Sequence, residues 1–569
     1  MSNNENYMDI YQKWLKKKHE DTEITEELRA IQNDPDQIKE GFYQTIAFGT
    51  AGLRGILGAG TNRMNIYTIR RAAQGFAQAI NKYGEGERKA VIAFDPRRKS
   101  DLFSRESAKI FAANGIKTYL FTEVTPTPIL SYAVRALDCT GGVMITASHN
   151  PKNYNGYKVY WDDGAQVTEE KAAQIINEVN SINDYLDIST ESFESYVEKE
   201  MIVMVYDEVY DKYYSELQAL DYMQEGPKDI SVLFSAFYGT AEKAVAKAMK
   251  NHQFVNYGVL EEQSQPNSEF PDLEYPNPED PGSFAMLLEK AKDTNPDLLI
   301  ATDPDGDRIG TQVLHQGEYV VLTGNQMGII MVDYLLNQLP VPKEGYIVKT
   351  VVTADLSAKI AQEKGIPCYE VLTGFKYIAE LAKKLEKEGK VYLFGYEESY
   401  GYMPRLFVRD KDAVQAILLL SQIAELLKKE NKTLIDRLSE IYATYGYYFE
   451  ENVSETYEGL AGFEKMQQIM TFLRDDFLAQ SDLPVIKVQD FMGSTELDVA
   501  TDQHTPIDLP SSNVLKFYLE DGSWVAVRPS GTEPKIKYYF SVIGEDQKDA
   551  EEKLQAFKNE FFRVTDTIK

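Results

Sequence analysis

Ser148 stands in Thr146-Ala147-Ser148-His149-Asn150-Pro151, directly after an apolar run at 142–145. A strand ending there lifts a hydroxyl into a loop, and loops held on rigid scaffolds are where chemistry gathers. A serine hydroxyl is a weak nucleophile that needs a base, a metal or a positive field. His149 adjoins it. Lys158 lies ten residues on, past Asn155-Gly156, which reads as the turn of a hairpin whose return strand carries the lysine. A lysine among other cations has its pKa lowered enough to exchange protons near neutrality; a plain surface lysine is the alternative.

Asp303, Asp305 and Asp307 alternate at a spacing of two after an apolar run at 297–301, with Gly306 among them and Arg308 next. That spacing sends three carboxylates to one side of a turning segment. Like charges so close are costly unless a cation neutralises them. Hard oxygen donors in this number suit Mg²⁺, which keeps positions for water and phosphate oxygens. An EF-hand is excluded, because glycine falls fourth and Leu314 is the twelfth residue. An acidic solvated turn is the other reading; the strand leading in and the arginine leading out weigh against it.

Other segments carry polar groups of matching type. Phe48-Gly49-Thr50-Ala51-Gly52-Leu53-Arg54-Gly55 surrounds one arginine with glycines, and Arg528-Pro529-Ser530-Gly531-Thr532 joins a guanidinium to two hydroxyls. Freed backbone N–H groups and forked arginine donors bind phosphate oxygens. An irregular turn and a Ser-Gly turn are the respective alternatives. The first glycine segment lacks the Lys-Ser/Thr pair of a nucleotide P-loop. Glu397, Glu398 and Ser399 follow a strand and Gly395; carboxylates beside a hydroxyl fix vicinal sugar hydroxyls, while a surface Glu-Glu pair is the bland alternative. Lys411 and Asp412 lie just beyond, the lysine a further phosphate-binding ammonium.

The elements that position these loops alternate. Residues 1 to about 45 read as helical with a stop at Asn33-Asp34-Pro35, followed by a helix at 66–83, a strand at 90–94 running into Asp95-Pro96-Arg97, and a strand at 117–121. This rhythm predicts a mostly parallel sheet covered on both faces. Ligands in such sheets gather at the carboxyl ends of strands, where Arg97 and Ser148 both fall. A polar stretch at 184–200 precedes a second α/β unit (strand 230–234, helix 239–251, strand 297–301). A third begins near Gly317 and alternates through 347–349, Leu372-Thr373-Gly374-Phe375-Lys376 and 392–395. From about 440 the pattern becomes strands and helices without parallel crossovers. The predicted class is α/β, with domains at 1–205, 206–315, 316–438 and 439–569, the last α+β.

The 569 residues carry 60 Lys+Arg against 89 Asp+Glu, a net charge of −29. That balance argues against nucleic-acid or anionic-membrane partners and makes local Arg/Lys clusters informative. Cys139 and Cys368 are the only cysteines, with no metal-ligand spacing, which fits a reducing compartment. The charged N-terminal segment lacks a signal-peptide core, and the apolar run at 413–427 is interrupted by polar residues. A cytoplasmic location is expected.

Together these loops resemble those of the α-D-phosphohexomutase superfamily, over about Phe48 to Lys537, and within it those of the long bacterial phosphoglucomutases. The resemblance implies four domains around a central cleft, three of them similar α/β domains with mixed, mostly parallel sheets. It implies a phosphoserine at Ser148, Mg²⁺ on Ser148, Asp303, Asp305 and Asp307, and Lys158 as general acid/base, with His149 counted beside the serine. Arg54 and Arg308 would lie near the transferring group, Glu397 and Ser399 would hold sugar hydroxyls, and the Thr373-Gly374 loop would set orientation. Arg528, Ser530, Gly531 and Thr532, with Lys411, would bind phosphate. Where some relatives have a histidine shortly after the sugar-loop serine, this chain has Tyr400-Gly401-Tyr402, leaving proton transfer to Lys158. The implied reaction interconverts glucose 1-phosphate and glucose 6-phosphate through glucose 1,6-bisphosphate. Phosphomannomutase, phosphopentomutase and a non-catalytic sugar-phosphate-binding protein are the alternatives. Sugar phosphates are the implied partners, and a monomer or weak homodimer the expected state.

Overall fold

The computed structural model describes residues 6–50, 52–457, 459–530 and 535–568. The chain divides into two compact units. One comprises Met1–Gly324, Phe375–Gly395 and Ser399–Thr433; the other comprises Asn325–Gly374, Tyr396–Glu398 and Leu434–Lys569.

In the first unit, β1 (Leu53–Ile56), β2 (Lys89–Phe94), β3 (Lys117–Phe121), β4 (Gly141–Ile145), β5 (Tyr154–Trp161) and β6 (Ile202–Val205) form one sheet in the order β1-β5-β4-β2-β3-β6. Strands β4, β2, β3 and β6 run parallel, while β5 and β1 add an antiparallel edge. β4 is buried along its whole length, as a strand covered on both faces must be. The helix Ile66–Tyr83 starts with a reciprocal cap. Asn65 accepts from the Tyr67 and Thr68 N–H groups, and the Asn65 N–H donates to the Thr68 hydroxyl.

The Asn33-Asp34-Pro35 stop is also a start: Asp34 caps the helix Pro35–Phe42, where proline fits the first turn. The polar stretch at 184–200 contains the helix Phe193–Glu198, buries Tyr185 and Tyr196, and leads into β6 of the first sheet. Its charges mask a few well-placed aromatics.

The same unit holds a second sheet, built from β7 (Lys228–Ser235), β8 (Phe254–Val259), β9 (Leu298–Thr302), β10 (Ile309–His315) and β11 (Glu318–Leu322) in the order β11-β10-β9-β7-β8. β8, β7 and β9 are parallel, and β10 and β11 form an antiparallel extension.

The second unit contains the parallel pair β12 (Gly345–Thr350) and β13 (Cys368–Val371). After β14 (Val391–Glu397) and β15 (Gly401–Met403), the chain forms a seven-stranded antiparallel sheet. Its strands are β16 (Tyr447–Thr456), β17 (Val485–Asp490), β18 (Thr495–Asp498), β19 (Gln503–Pro506), β20 (Leu515–Leu519), β21 (Trp524–Pro529) and β22 (Lys535–Gly544), ordered β16-β22-β21-β20-β17-β18-β19. Phe477, Phe517, Phe540, Phe557 and Phe561 make its core with the helices Gly459–Asp475 and Gln547–Thr565. Among the described residues no helix is long and apolar enough to cross a membrane.

Candidate active site

Ser148 leaves the end of β4 in the left-handed region, with φ +53°, and is 3% exposed. Its N–H donates to Thr146 Oγ1 at 2.8 Å, and its hydroxyl donates to Asp303 Oδ2 at 3.0 Å. The serine and the triple-carboxylate turn are therefore in direct contact.

Arg97, past the end of β2, holds the serine loop from beneath. Its guanidinium donates to the carbonyls of Ser148 (2.6 Å), Asn150 (2.5 Å), Pro151 (2.8 Å) and Tyr154 (3.2 Å). Its Nε faces Asp95 Oδ2 at 3.2 Å, with both side chains fully buried. Phe270 lies over the guanidinium at 5.1 Å. Arg54, the exposed residue of β1, donates to Asn150 Oδ1 in the same loop at 2.9 Å, and His149 is half-buried.

Asn155-Gly156 is not a turn but part of β5, paired with Gly55 and Arg54 of β1. The glycine is required by close approach: a Cβ on Gly156 would lie 2.3 Å from the Thr146 carbonyl oxygen. Lys158 is thus set on a buried strand, with Nζ 2.7 Å from Asp305 Oδ2 and 3.4 Å from Asp307 Oδ2. Burial favours the neutral amine, but the Asp305 and Asp307 carboxylates outweigh it and raise its pKa above the ordinary lysine value. The expected lowering by neighbouring cations is reversed, because its nearest neighbours are anions.

The carboxylates sit at the end of β9 in a turn that Gly306 allows with φ +65°. Asp303 Oδ1 accepts the N–H groups of Asp307 and Arg308, both at 3.0 Å. Asp305 Oδ2 accepts from Lys158 and from the Thr127 hydroxyl at 2.8 Å, and Asp307 Oδ2 faces Lys158 and Lys411, the latter at 3.2 Å. Asp305 and Asp307 thus each have one oxygen tied back, whereas both oxygens of Asp303 accept hydrogen bonds. Among the described residues the buried Asp305 Oδ1 and Asp307 Oδ1 have no hydrogen-bond partner. Oxygens from the three residues lie within 4.8 Å of one another. Burial, Asp307 and Asp305 push Asp303 well above the carboxylate range; burial acts the same way on Asp305, but Lys158 and the other donors bring it below. Buried, clustered, partly unsatisfied hard oxygens fit Mg²⁺.

Lys411 also touches Asp410, whose carboxylate accepts from Tyr160 (2.9 Å) and Gln166 (2.7 Å). Arg308 pairs with Glu279. Beside it, Ile309 N–H donates to the Tyr400 carbonyl at 3.2 Å, and Arg308 bridges Gly401, which places Ser399 one residue from the metal turn's neighbours.

In the second unit, Glu397 and Glu398 are buried at the end of β14, and Glu398 Oε2 accepts from Thr350 (3.2 Å) and Thr353 (3.3 Å). Burial and Glu397 raise the Glu398 pKa, opposed by Lys537 and Arg528. Gly374 takes φ +124°, and among the described residues the buried Thr373 Oγ1 has no hydrogen-bond partner. Arg528 lies near the end of β21, and Ser530 follows the strand, its N–H donating to the Lys535 carbonyl at 2.7 Å. Gly531 and Thr532 lie outside the described residues.

Sequence reasoning missed Thr127, Glu279, Asp410 and the loop-holding role of Arg97. Only Arg97 carried a signal, its position just past a strand end.

Four sequence-family models match in chain order: Phosphoglucomutase/phosphomannomutase alpha/beta/alpha domain I over 45–186, domain II over 211–316, domain III over 323–445, and the C-terminal domain over 483–559. A phosphoglucomutase of Staphylococcus saprophyticus is 34% identical over 547 residues, covering 95% of this chain and 98% of the relative. One of Staphylococcus epidermidis is 38% identical over 510 residues, 89% and 92% of the two chains. Two solved structures share the fold. A Phosphoglucomutase/phosphomannomutase family protein of Burkholderia thailandensis has TM-score 0.65 at 17% identity, covering 91% of this chain and 96% of that one. The Paramecium phosphoglucomutase parafusin in its open form has TM-score 0.67 at 19% identity, covering 92% and 95%. With four domain models in order and relatives matched nearly end to end, the chain belongs to the phosphoglucomutase/phosphomannomutase family of phosphohexomutase enzymes.

Proposed function

We propose that this chain interconverts α-D-glucose 1-phosphate and glucose 6-phosphate, carrying a phosphoryl group on Ser148 and passing through glucose 1,6-bisphosphate. The observation that carries the reading is the Ser148 hydroxyl at 3.0 Å from Asp303 within a buried triple-carboxylate turn. The phosphoglucomutases to which the chain is similar support the choice of glucose.

Phosphoryl transfer needs in-line placement and charge neutralisation more than covalent help. Bound on Asp303, Asp305 and Asp307, Mg²⁺ supplies neutralisation of phosphoryl oxygens. As the Ser148 Oγ–P bond breaks, a bond forms from phosphorus to a sugar oxygen. Lys158, held cationic by its carboxylates, donates a proton to the oxygen that leaves and recovers one from the oxygen that attacks. Arg97 fixes the loop so that Oγ keeps its aim. We assign Arg54, Arg308 and His149 to the surroundings of the transferring group, Glu397 and Ser399 to sugar hydroxyls, and Thr373-Gly374 to orientation. Arg528, Ser530, Gly531, Thr532 and Lys411 are assigned to phosphate, and the domain limits 1–205, 206–315, 316–438 and 439–569 belong to the same proposal. Small sugar phosphates in the cytoplasm are the proposed partners, met by a monomer or weak homodimer.

A panel of glucose, mannose and ribose 1-phosphates with Mg²⁺ and catalytic glucose 1,6-bisphosphate tests the reading. Preference for glucose 1-phosphate is expected. Absence of turnover, or preference for another sugar, overturns it.

A further inference from the structure

The second unit buries two ammonium groups that the proposed chemistry does not use. Lys349, on β12, and Lys516, on β20, are both 0% exposed. Lys349 is paired: its Nζ contacts Asp355 Oδ1 at 2.8 Å, Glu370 Oε1 at 2.6 Å and the Thr353 carbonyl at 3.1 Å. Among the described residues Lys516 touches no carboxylate. Its Nζ donates to the Val351 carbonyl at 2.8 Å and lies over the rings of Trp524 (3.9 Å) and Tyr518 (4.7 Å). Burial draws its pKa below the ordinary lysine value.

An apolar side chain of similar volume would cost less at such a place, so this ammonium is a poor device for stability alone. What it holds is specific. Lys516 grips the turn 350–355 at Val351, and Trp524 Nε1 grips the same turn at Asp355 Oδ2, 2.9 Å away. On its other side the turn presents the Thr350 and Thr353 hydroxyls, 2.8 Å apart and both bonded to Glu398 Oε2. Two side chains from the C-terminal sheet are thereby linked, through one short turn, to the carboxylate next to Glu397.

We propose that the turn 350–355 is a positioning element through which Lys516 and Trp524 hold Glu398, and with it the sugar-binding loop, in place. The proposal rests on the functional reading above. It makes Lys516 and Trp524 positioning residues for substrate, acting through hydroxyls and a buried carboxylate and touching no reacting atom.

The test is the full-length enzyme carrying Lys516→Met or Trp524→Phe, each alone and combined with Glu398→Gln. With glucose 1-phosphate as variable substrate, KM should rise about tenfold, more than kcat falls, since small misplacements of binding groups are costly. In the Glu398→Gln background the further rise should disappear, because residues acting through one group are not additive. Backbone hydrogen exchange at 396–399 should quicken in both variants. Unchanged KM and unchanged exchange, with only a lower Tm, would overturn the proposal, as would full additivity with Glu398→Gln. The exchange measurement decides even if the parent enzyme turns over no glucose phosphate, a result that would sink the functional reading alone.

Discussion

The Lys158 ammonium and the Asp305 carboxylate meet at 2.7 Å in the buried centre of the first unit, each satisfying a charge the other could not keep alone. The pair decides the lysine's chemical state. Its pKa is raised against the pull of burial, which supports its proposed role as an acid. Lys158→Met should lower kcat by about 10²–10⁴-fold, the usual worth of a general acid or base. Steady-state kinetics at fixed pH would measure the loss, and a change confined to KM would refute the assignment.

Ser148→Ala should abolish the phosphoenzyme and turnover together. Intact-mass analysis before and after excess glucose 6-phosphate checks the first, and a coupled assay checks the second. Near-normal turnover in this variant would remove Ser148 from the reaction.

Thr127 opens the helix Thr127–Ala136 and bonds Asp305 twice, its N–H to the Asp305 carbonyl and its hydroxyl to Oδ2, both at 2.8 Å. Groups that orient a metal ligand are worth about 10–100-fold in metal affinity. Thr127→Val should weaken Mg²⁺ binding by that much in titration calorimetry, while Thr127→Ser keeps it. Asp305→Ala, which removes an unpartnered oxygen as well, should lose still more.

Arg97→Met would strand four loop carbonyls and leave Asp95 buried without its cation. Breaking one side of a buried pair costs about 3–5 kcal/mol. Denaturant unfolding should show a loss in that range.

Glu450, on β16, has a buried Oε1 with no hydrogen-bond partner among the described residues, and burial followed by the nearby Asp355 charge raises its pKa to about 8. Between the ordinary carboxylate value and about 8 the folded chain holds a proton that the unfolded chain has released. Stability from this group therefore falls as pH rises through that window. Glu450→Gln should raise Tm at pH 8 and change it little at pH 5, as read by thermal melts across pH.

The loops assigned to the proposed chemistry stood out because each follows a short apolar strand: β4 before Ser148, β9 before Asp303, β14 before Glu398. Alternation of strands and helices likewise announced the parallel sheets. The contacts that set charge and aim were not legible, because their partners are distant in sequence. Lys158 and Asp305 are 147 residues apart, Ser148 and Asp303 155, and Thr127 and Asp305 178. Asn155-Gly156 misled for a different reason: glycine there serves a close approach to the Thr146 carbonyl, and spacing alone cannot separate that from a turn.

The left-handed backbone at Ser148 has a consequence for how this protein can be improved. Any side chain at φ +53° strains the chain by about 1–2 kcal/mol relative to glycine, which adopts that conformation freely. Ser148→Gly should therefore release that strain at the expense of the hydroxyl's bond to Asp303, and a selection for thermal resistance alone would put no pressure on keeping the proposed phosphoryl carrier.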